Sequence, residues 1–134
     1  MQNWGLTHQP RYNKTGIQVD RAAITHNTTS SIKNCLSLIH QKLKPEGKYI
    51  GIDWFSTEHS DYSKGSFDED NYTKNFMEDG QFVGVGRIHF SDKPHLIDLF
   101  SSFTIEILEH KISKKEIPED NHIFASWNCL AIKK

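Results

Sequence analysis

The sequence predicts an α/β fold: a parallel sheet with helices beside it, closed by an antiparallel hairpin. Two stretches carry this reading. In the first, Ser31 to Phe55, Ile32, Cys35, Leu36, Ile39 and Leu43 recur at helical spacing, so one face is apolar and must pack on something. Pro45 cannot continue that helix, and Gly47 is free to take a positive φ, so the chain reverses there. Lys48 to Phe55 follows with Tyr49, Ile50, Ile52, Trp54 and Phe55 on both faces, the pattern of a strand covered by helices on each side. The second stretch holds two strands, 104–112 and 122–132, joined by the polar segment Lys114 to Asn121. That connection is too short and too polar for a crossover helix, so the pair is antiparallel.

The remaining elements follow in chain order. Residues 1–15 scatter Trp4, Leu6 and Tyr12 among polar residues without a period and read as an irregular leader to a domain over 16–134. Ile17 to Val19 reads as a short strand. Thr28, Thr29 and Ser30 offer hydroxyls to cap the first helix, which runs to Leu43 or Lys44. Ser56 to Phe82 is the longest irregular part, and loops of that length in compact domains tend to be functional. It reads as a mobile lid or insertion at about 56–90. Ser91 or Asp92 caps a second helix with Pro94 in its first turn and Leu96, Ile97, Leu99, Phe100 and Phe103 on its packing side.

Composition narrows the functional classes. The 134 residues suit one domain, and 16 basic against 17 acidic side chains leave a net charge of −1. No long-range field draws such a chain to nucleic acid or to an anionic membrane. No apolar run approaches the ~20 residues needed to span a bilayer, and the amino terminus lacks a basic region followed by an apolar one. A cytoplasmic protein is expected. Cys35 and Cys129 both sit in apolar patterns and read as small core residues rather than a disulfide.

The helix, Leu43-Lys-Pro-Glu-Gly47 turn and strand resemble the fourth helix and fifth strand of class I S-adenosylmethionine-dependent methyltransferases. Around them, Asp20-Arg-Ala-Ala-Ile-Thr-His-Asn27 resembles the segment leaving that family's fourth strand. Gly86-Arg-Ile-His-Phe90, the acidic helix start at Asp92, Phe103 to Glu109 and Ile123 to Ile132 are similar to the approach to its last helix and to its sixth and seventh strands. The resemblance implies a partial Rossmann-like sheet, strands four to seven, with the first half absent. It implies S-adenosylmethionine as cofactor and a small molecule as methyl acceptor. The family's glycine-rich cofactor loop has no counterpart here: Gly84-Val-Gly86 lies too late, and the third glycine would fall on His89.

Methyl transfer needs alignment and exclusion of water more than a fixed set of catalytic groups, so no triad is expected. Ligands gather at the carboxyl ends of parallel strands. By resemblance, Asp20, Arg21 and Ala22 meet the methionine part of the cofactor and His26 faces the acceptor. The alternative is an Asp20–Arg21 salt bridge with His26 capping the next turn. Asp53, Trp54, Phe55, His59 and Tyr62 offer aromatic walls with a few polar groups, suited to a small-molecule pocket. Trp54 and Phe55 alternate in direction, so one of them belongs to core packing. Arg87 and His89, two apart on an extended segment, suit an anionic group or a solvated edge.

None of the eight histidines has metal-ligand spacing; His26, His59 and His89 are the three that could converge in space, and no metal is expected. Asp68 to Asn71 resembles the opening of a calcium loop, but Thr73 stands where the turn needs glycine. Without the first three strands the fourth presents an open edge, which favours a homodimer or a complementing chain. Two functions follow: the acceptor-side half of a small-molecule methyltransferase, or a catalytically inactive remnant acting as an interaction or regulatory module.

Overall fold

The computed structural model describes residues 14–21, 23–76 and 86–134. In chain order the elements are β1 (Thr15–Arg21), α1 (Thr29–Lys42), β2 (Leu43–Phe55), β3 (Ser66–Asp68), β4 (Asp70–Phe76), β5 (Gly86–His89), α2 (Lys93–Leu99), β6 (Phe103–Lys114) and β7 (Ile123–Lys133). The main sheet runs β1-β2-β7-β6. Strands β1 and β2 are parallel, whereas β7 runs antiparallel to both of its neighbours. The parallel pair and the closing hairpin are those the sequence predicts. The leader expected over 1–15 falls almost entirely outside the described residues.

Helix α1 starts where a side chain can satisfy its free amides: Thr28 Oγ1 accepts from the Ser31 amide at 3.3 Å. It ends at Lys42, and the chain turns through Pro45, Glu46 and Gly47. The left-handed residue of that turn is Glu46, φ 64°, rather than Gly47. Gly47 is required for space instead, since a Cβ there would lie 2.8 Å from the Lys44 carbonyl oxygen. Helix α2 is capped by Asp92, whose Oδ1 accepts from the His95 amide at 2.9 Å.

Both helices pack on one face of the main sheet. Ile32, Leu36 and Ile39 of α1 and Leu96 and Leu99 of α2, with Phe100, meet Tyr49, Trp54, Trp127, Cys129 and Ala131. Trp54 and Phe100 stand 5.4 Å apart between centroids. Ile97 departs from the expected packing side: it is 52% exposed, because a two-turn helix buries only the 3- and 4-spaced stripe through Leu96, Leu99 and Phe100. Cys129 is buried and Cys35 half-buried, and both are free thiols. The opposite face carries no helix among the described residues, so Ile50 and Ile52 are only half-buried and the expectation of cover on both sides is corrected.

The stretch read as irregular holds a second sheet, β3-β4-β5, antiparallel throughout. Its acidic turn is not a calcium loop. Glu69 accepts from the Ser30 amide at 3.1 Å and from the Ser30 hydroxyl at 2.7 Å, and Asp70 accepts from the Thr29 hydroxyl, so two carboxylates sit at the amino end of α1 where its dipole favours them. A smaller apolar cluster, Phe55, Ile88 and Phe90 with Tyr62 and Phe124, ties this sheet to the end of β2.

Candidate functional site

The carboxyl ends of β1 and β2 lie side by side, Arg21 opposite Ile52 in the ladder. One residue further, Asp53 takes a left-handed backbone, φ 59°, at a bulge between Gly51 and Trp54. The bulge lets the Asp53 amide donate to Asn128 Oδ1 at 3.0 Å. It also aims the carboxylate at three donors: Lys111 Nζ at 2.8 Å, Ser126 Oγ at 3.2 Å and Arg21 at 3.2 Å. The Lys111 hydrogen bond, supported by its charge and by Ser126 and Arg21, holds the Asp53 carboxyl below its usual range against the opposing effect of burial.

Asp20 and Arg21 point to opposite faces of β1, as strand neighbours must, so they do not pair with each other. Arg21 joins Asp53, while Asp20 accepts from the buried Tyr49 hydroxyl at 3.0 Å and from the Ala23 amide at 3.2 Å. Burial, then the Asp20 charge, raises the Tyr49 pKa well above that of a free phenol, which keeps it a donor. Ala22 lies outside the described residues. His26 is exposed at the end of the short 3-10 turn Ile24–His26.

Over the end of β2, Phe55, His59 and Tyr62 gather as expected, joined by Phe90 and Phe124: Tyr62 lies 5.5 Å from Phe90 and His59 5.1 Å from Phe124. Trp54 turns away into the helix-covered core, so it does not line this cluster. His59 is 3% exposed, and burial lowers its pKa to about 4. Its Nδ1 accepts from the Asp61 amide at 3.0 Å, capping the 3-10 turn Ser60–Ser63.

His59, Asp61 and His122 bring potential ligand atoms within 4.8 Å of one another, a grouping different from His26, His59 and His89. It does not fit a metal ion. With Nδ1 accepting a hydrogen bond, the neutral His59 ring carries its proton on Nε2, where a ligand must be bare. The Lys64 ammonium also stands 3.5 Å from the Asp61 oxygen of that grouping, a positive charge where a cation would sit.

Arg87 and His89 do not form one anion site. Arg87 is exposed, whereas His89 is sealed, its Nδ1 3.1 Å from Thr73 Oγ1 and its Nε2 2.9 Å from His95 Nε2. Burial, then the His95 charge, pulls the His89 pKa down to about 3. His95 in turn stacks on Tyr72 at 3.7 Å. Sequence reasoning missed Lys111, Ser126 and Asn128, which reach Asp53 only through strand register. It also missed His95 and His122, which find partners far from their own segments.

No family profile and no curated protein sequence matches the chain. Solved structures do. An S-adenosylmethionine-dependent methyltransferase from Methanosarcina mazei aligns with 90% of this chain at TM-score 0.69 and 12% identity, over 60% of its own length. The fold is that of the class I S-adenosylmethionine-dependent methyltransferases. A protein from Pyrococcus horikoshii OT3 aligns with 91% of this chain at TM-score 0.55 and 19% identity, over 53% of its length. A structure described for conversion of a disulfide bond into a thioacetal group during echinomycin biosynthesis aligns with 93% at TM-score 0.55 and 13% identity, over 52% of its length. The methyltransferase-like chain thus spans about half to three-fifths of the structures it resembles. Among its described residues no helix is long and apolar enough to cross a membrane.

Proposed function

We propose that this chain is the acceptor-side half of a cytoplasmic S-adenosylmethionine-dependent methyltransferase acting on a small molecule. The observation that carries the reading is the sheet itself. A parallel β1–β2 pair beside a reversed β7, with Asp20, Arg21 and Asp53 at the carboxyl ends of the parallel strands, is a ligand-gathering edge in a methyltransferase-like fold.

S-adenosylmethionine supplies an activated methyl group that an acceptor nucleophile displaces in line. The residues here fit its methionine end. The Arg21 side chain is 75% exposed and can meet a carboxylate while keeping one contact to Asp53. Asp20 accepts one hydrogen bond on each oxygen and retains two lone-pair directions for an ammonium group. Phe55, Tyr62, Phe90 and Phe124 form a wall that keeps water from the acceptor side.

A second reading, an inactive interaction or regulatory module, is favoured by the same contacts. Asp20 and Arg21 already have protein partners, and Asp53 is engaged by three donors. Calorimetric titration with S-adenosylmethionine separates the two. Saturable heat, lost in Arg21→Ala, is expected for the first; no heat at millimolar ligand with the chain folded leaves the second.

A further inference from the structure

Lys74, in β4, is only 4% exposed, a degree of burial that lysine seldom reaches without an opposite charge beside it. Among the described residues it has none. Its ammonium rests on two rings instead, 4.0 Å from the centre of Phe67 and 5.3 Å from that of Tyr62. Burial lowers its pKa, and no carboxylate counters the shift. The two carboxylates whose charge reaches Tyr62 are committed elsewhere: Asp92 accepts from the Tyr72 hydroxyl and the His95 amide, and Asp70 from the Thr29 hydroxyl and the Tyr72 amide. Ring faces attract a cation but give its three N–H donors no oxygen to bond, so the burial of this charge is compensated only in part.

The position of this cation ties it to the acceptor side. The ladder sets Lys74 opposite Ile88, on the same face of the second sheet, and Ile88 packs with Phe55, Phe90 and Tyr62 of the aromatic wall. Phe67, the other ring under the ammonium, is 57% exposed, so the cage opens to solvent on that side. Neither neighbouring cation joins in. Arg87, next to Ile88 on β5, turns to the other side of the sheet, and Lys64 is engaged by Asp61. A phosphate draws several cations or an arginine fork, whereas a single point charge among aromatic rings suits a carboxylate on a planar apolar body.

We propose that Lys74 is the counter-ion for a carboxylate carried by the methyl acceptor, which makes small aromatic carboxylic acids the substrate class. The carboxylate is a handle: it fixes how the acceptor lies against Tyr62 and Phe90 and adds no chemical step. The proposal rests on the methyltransferase reading for the word acceptor, while the anion site itself stands on the burial and the missing partner of Lys74.

Titration of the isotopically labelled chain with sodium benzoate, without S-adenosylmethionine, tests it, with benzamide and inorganic phosphate as controls. Saturable amide shifts at Tyr62, Phe67 and Lys74 are expected, in the millimolar range for so small a ligand. Benzamide and phosphate should each bind about tenfold more weakly, and Lys74→Met should bring benzoate down to the level of benzamide. Lys74→Met keeps an apolar stem on the rings and removes a buried charge without an anion, so it should melt no lower than the parent. A lower melting temperature in Lys74→Met, or benzoate binding that appears only once Glu78→Gln and Asp79→Asn are introduced, assigns the ammonium to a carboxylate of the chain itself and overturns the proposal. Equal binding of benzoate and benzamide, or no binding of either, overturns it as well. Benzoate binding in a chain that gives no heat with S-adenosylmethionine keeps the carboxylate site and overturns the methyl-donor reading alone.

Discussion

At the residue scale, Asp53 carries the most structural responsibility per atom. A non-glycine residue at φ 59° costs on the order of 1–2 kcal/mol, and the bonds to Lys111, Ser126, Arg21 and Asn128 offset it. Asp53→Ala keeps the strain and loses the carboxylate bonds, so urea unfolding should show a loss of about 2–3 kcal/mol. Asp53→Gly loses the same bonds but relieves the backbone, and should be less destabilised by about 1 kcal/mol. Equal losses would mean that the left-handed geometry is not the native one. Buried histidines set a pH dependence. In the unfolded chain an imidazole titrates near ~6.5, whereas His59 is lowered to about 4 and His89 to about 3 by burial. Below that unfolded value the unfolded chain takes up protons that the fold refuses. Their stability contribution is therefore whole above it and declines toward the two folded values, at ~1.4 kcal/mol per pH unit for each group. Thermal midpoints should fall steadily from pH 7 to pH 5, and less steeply in His89→Gln. A flat profile would place both rings in water. None of this is legible in the sequence, because a His in a polar stretch gives no hint of the apolar cluster or second histidine that closes over it.

At the scale of elements, what the chain advertises is what has a period. Helix α1 shows its stripe from Ile32 to Leu43, and Thr28, one of three hydroxyls available, is the one that caps it. Thr28→Ala should cost about 1 kcal/mol, read by chemical denaturation; Thr29→Ala spares the cap and removes only the hydroxyl contact to Asp70. A Thr28→Ala chain as stable as the parent would mean that the cap lies elsewhere. Strands β2, β6 and β7 are equally plain, through aromatic and β-branched runs. The second sheet is hidden for a physical reason: β4 reads Asp-Asn-Tyr-Thr-Lys-Asn-Phe, with hardly an aliphatic residue. It is held by its ladder to β3 and β5, by Thr73 against His89, and by Lys74, whose ammonium lies 4.0 Å from the centre of the Phe67 ring. Such contacts are pairwise and leave no periodic trace.

At the scale of the whole molecule, two pairings were readable from their connections, the parallel β1–β2 pair joined through a helix and the antiparallel β6–β7 pair joined by a short polar link, whereas the place of β7 beside β2 follows from neither connection. The candidate site was readable in part. Its strand-end residues Asp20, Arg21 and Asp53 follow from topology, while Lys111, Ser126 and Asn128 depend on a bulge that shifts the register of β2 against β7. The half-exposed aliphatic face opposite the helices follows from the same register, since a two-sided apolar strand reads alike whether one face or both are covered by the described residues. The central proposal is that the carboxyl ends of β1 and β2 hold the methyl-donor nucleoside S-adenosylmethionine. The most direct test is a titration of the isotopically labelled chain with S-adenosylmethionine, following backbone amide chemical shifts. The account expects saturable shifts concentrated at Asp20, Arg21 and Asp53 to Phe55, with the far ends of the same strands unmoved. Shifts absent at millimolar ligand, or gathered at the opposite ends of those strands, would contradict it.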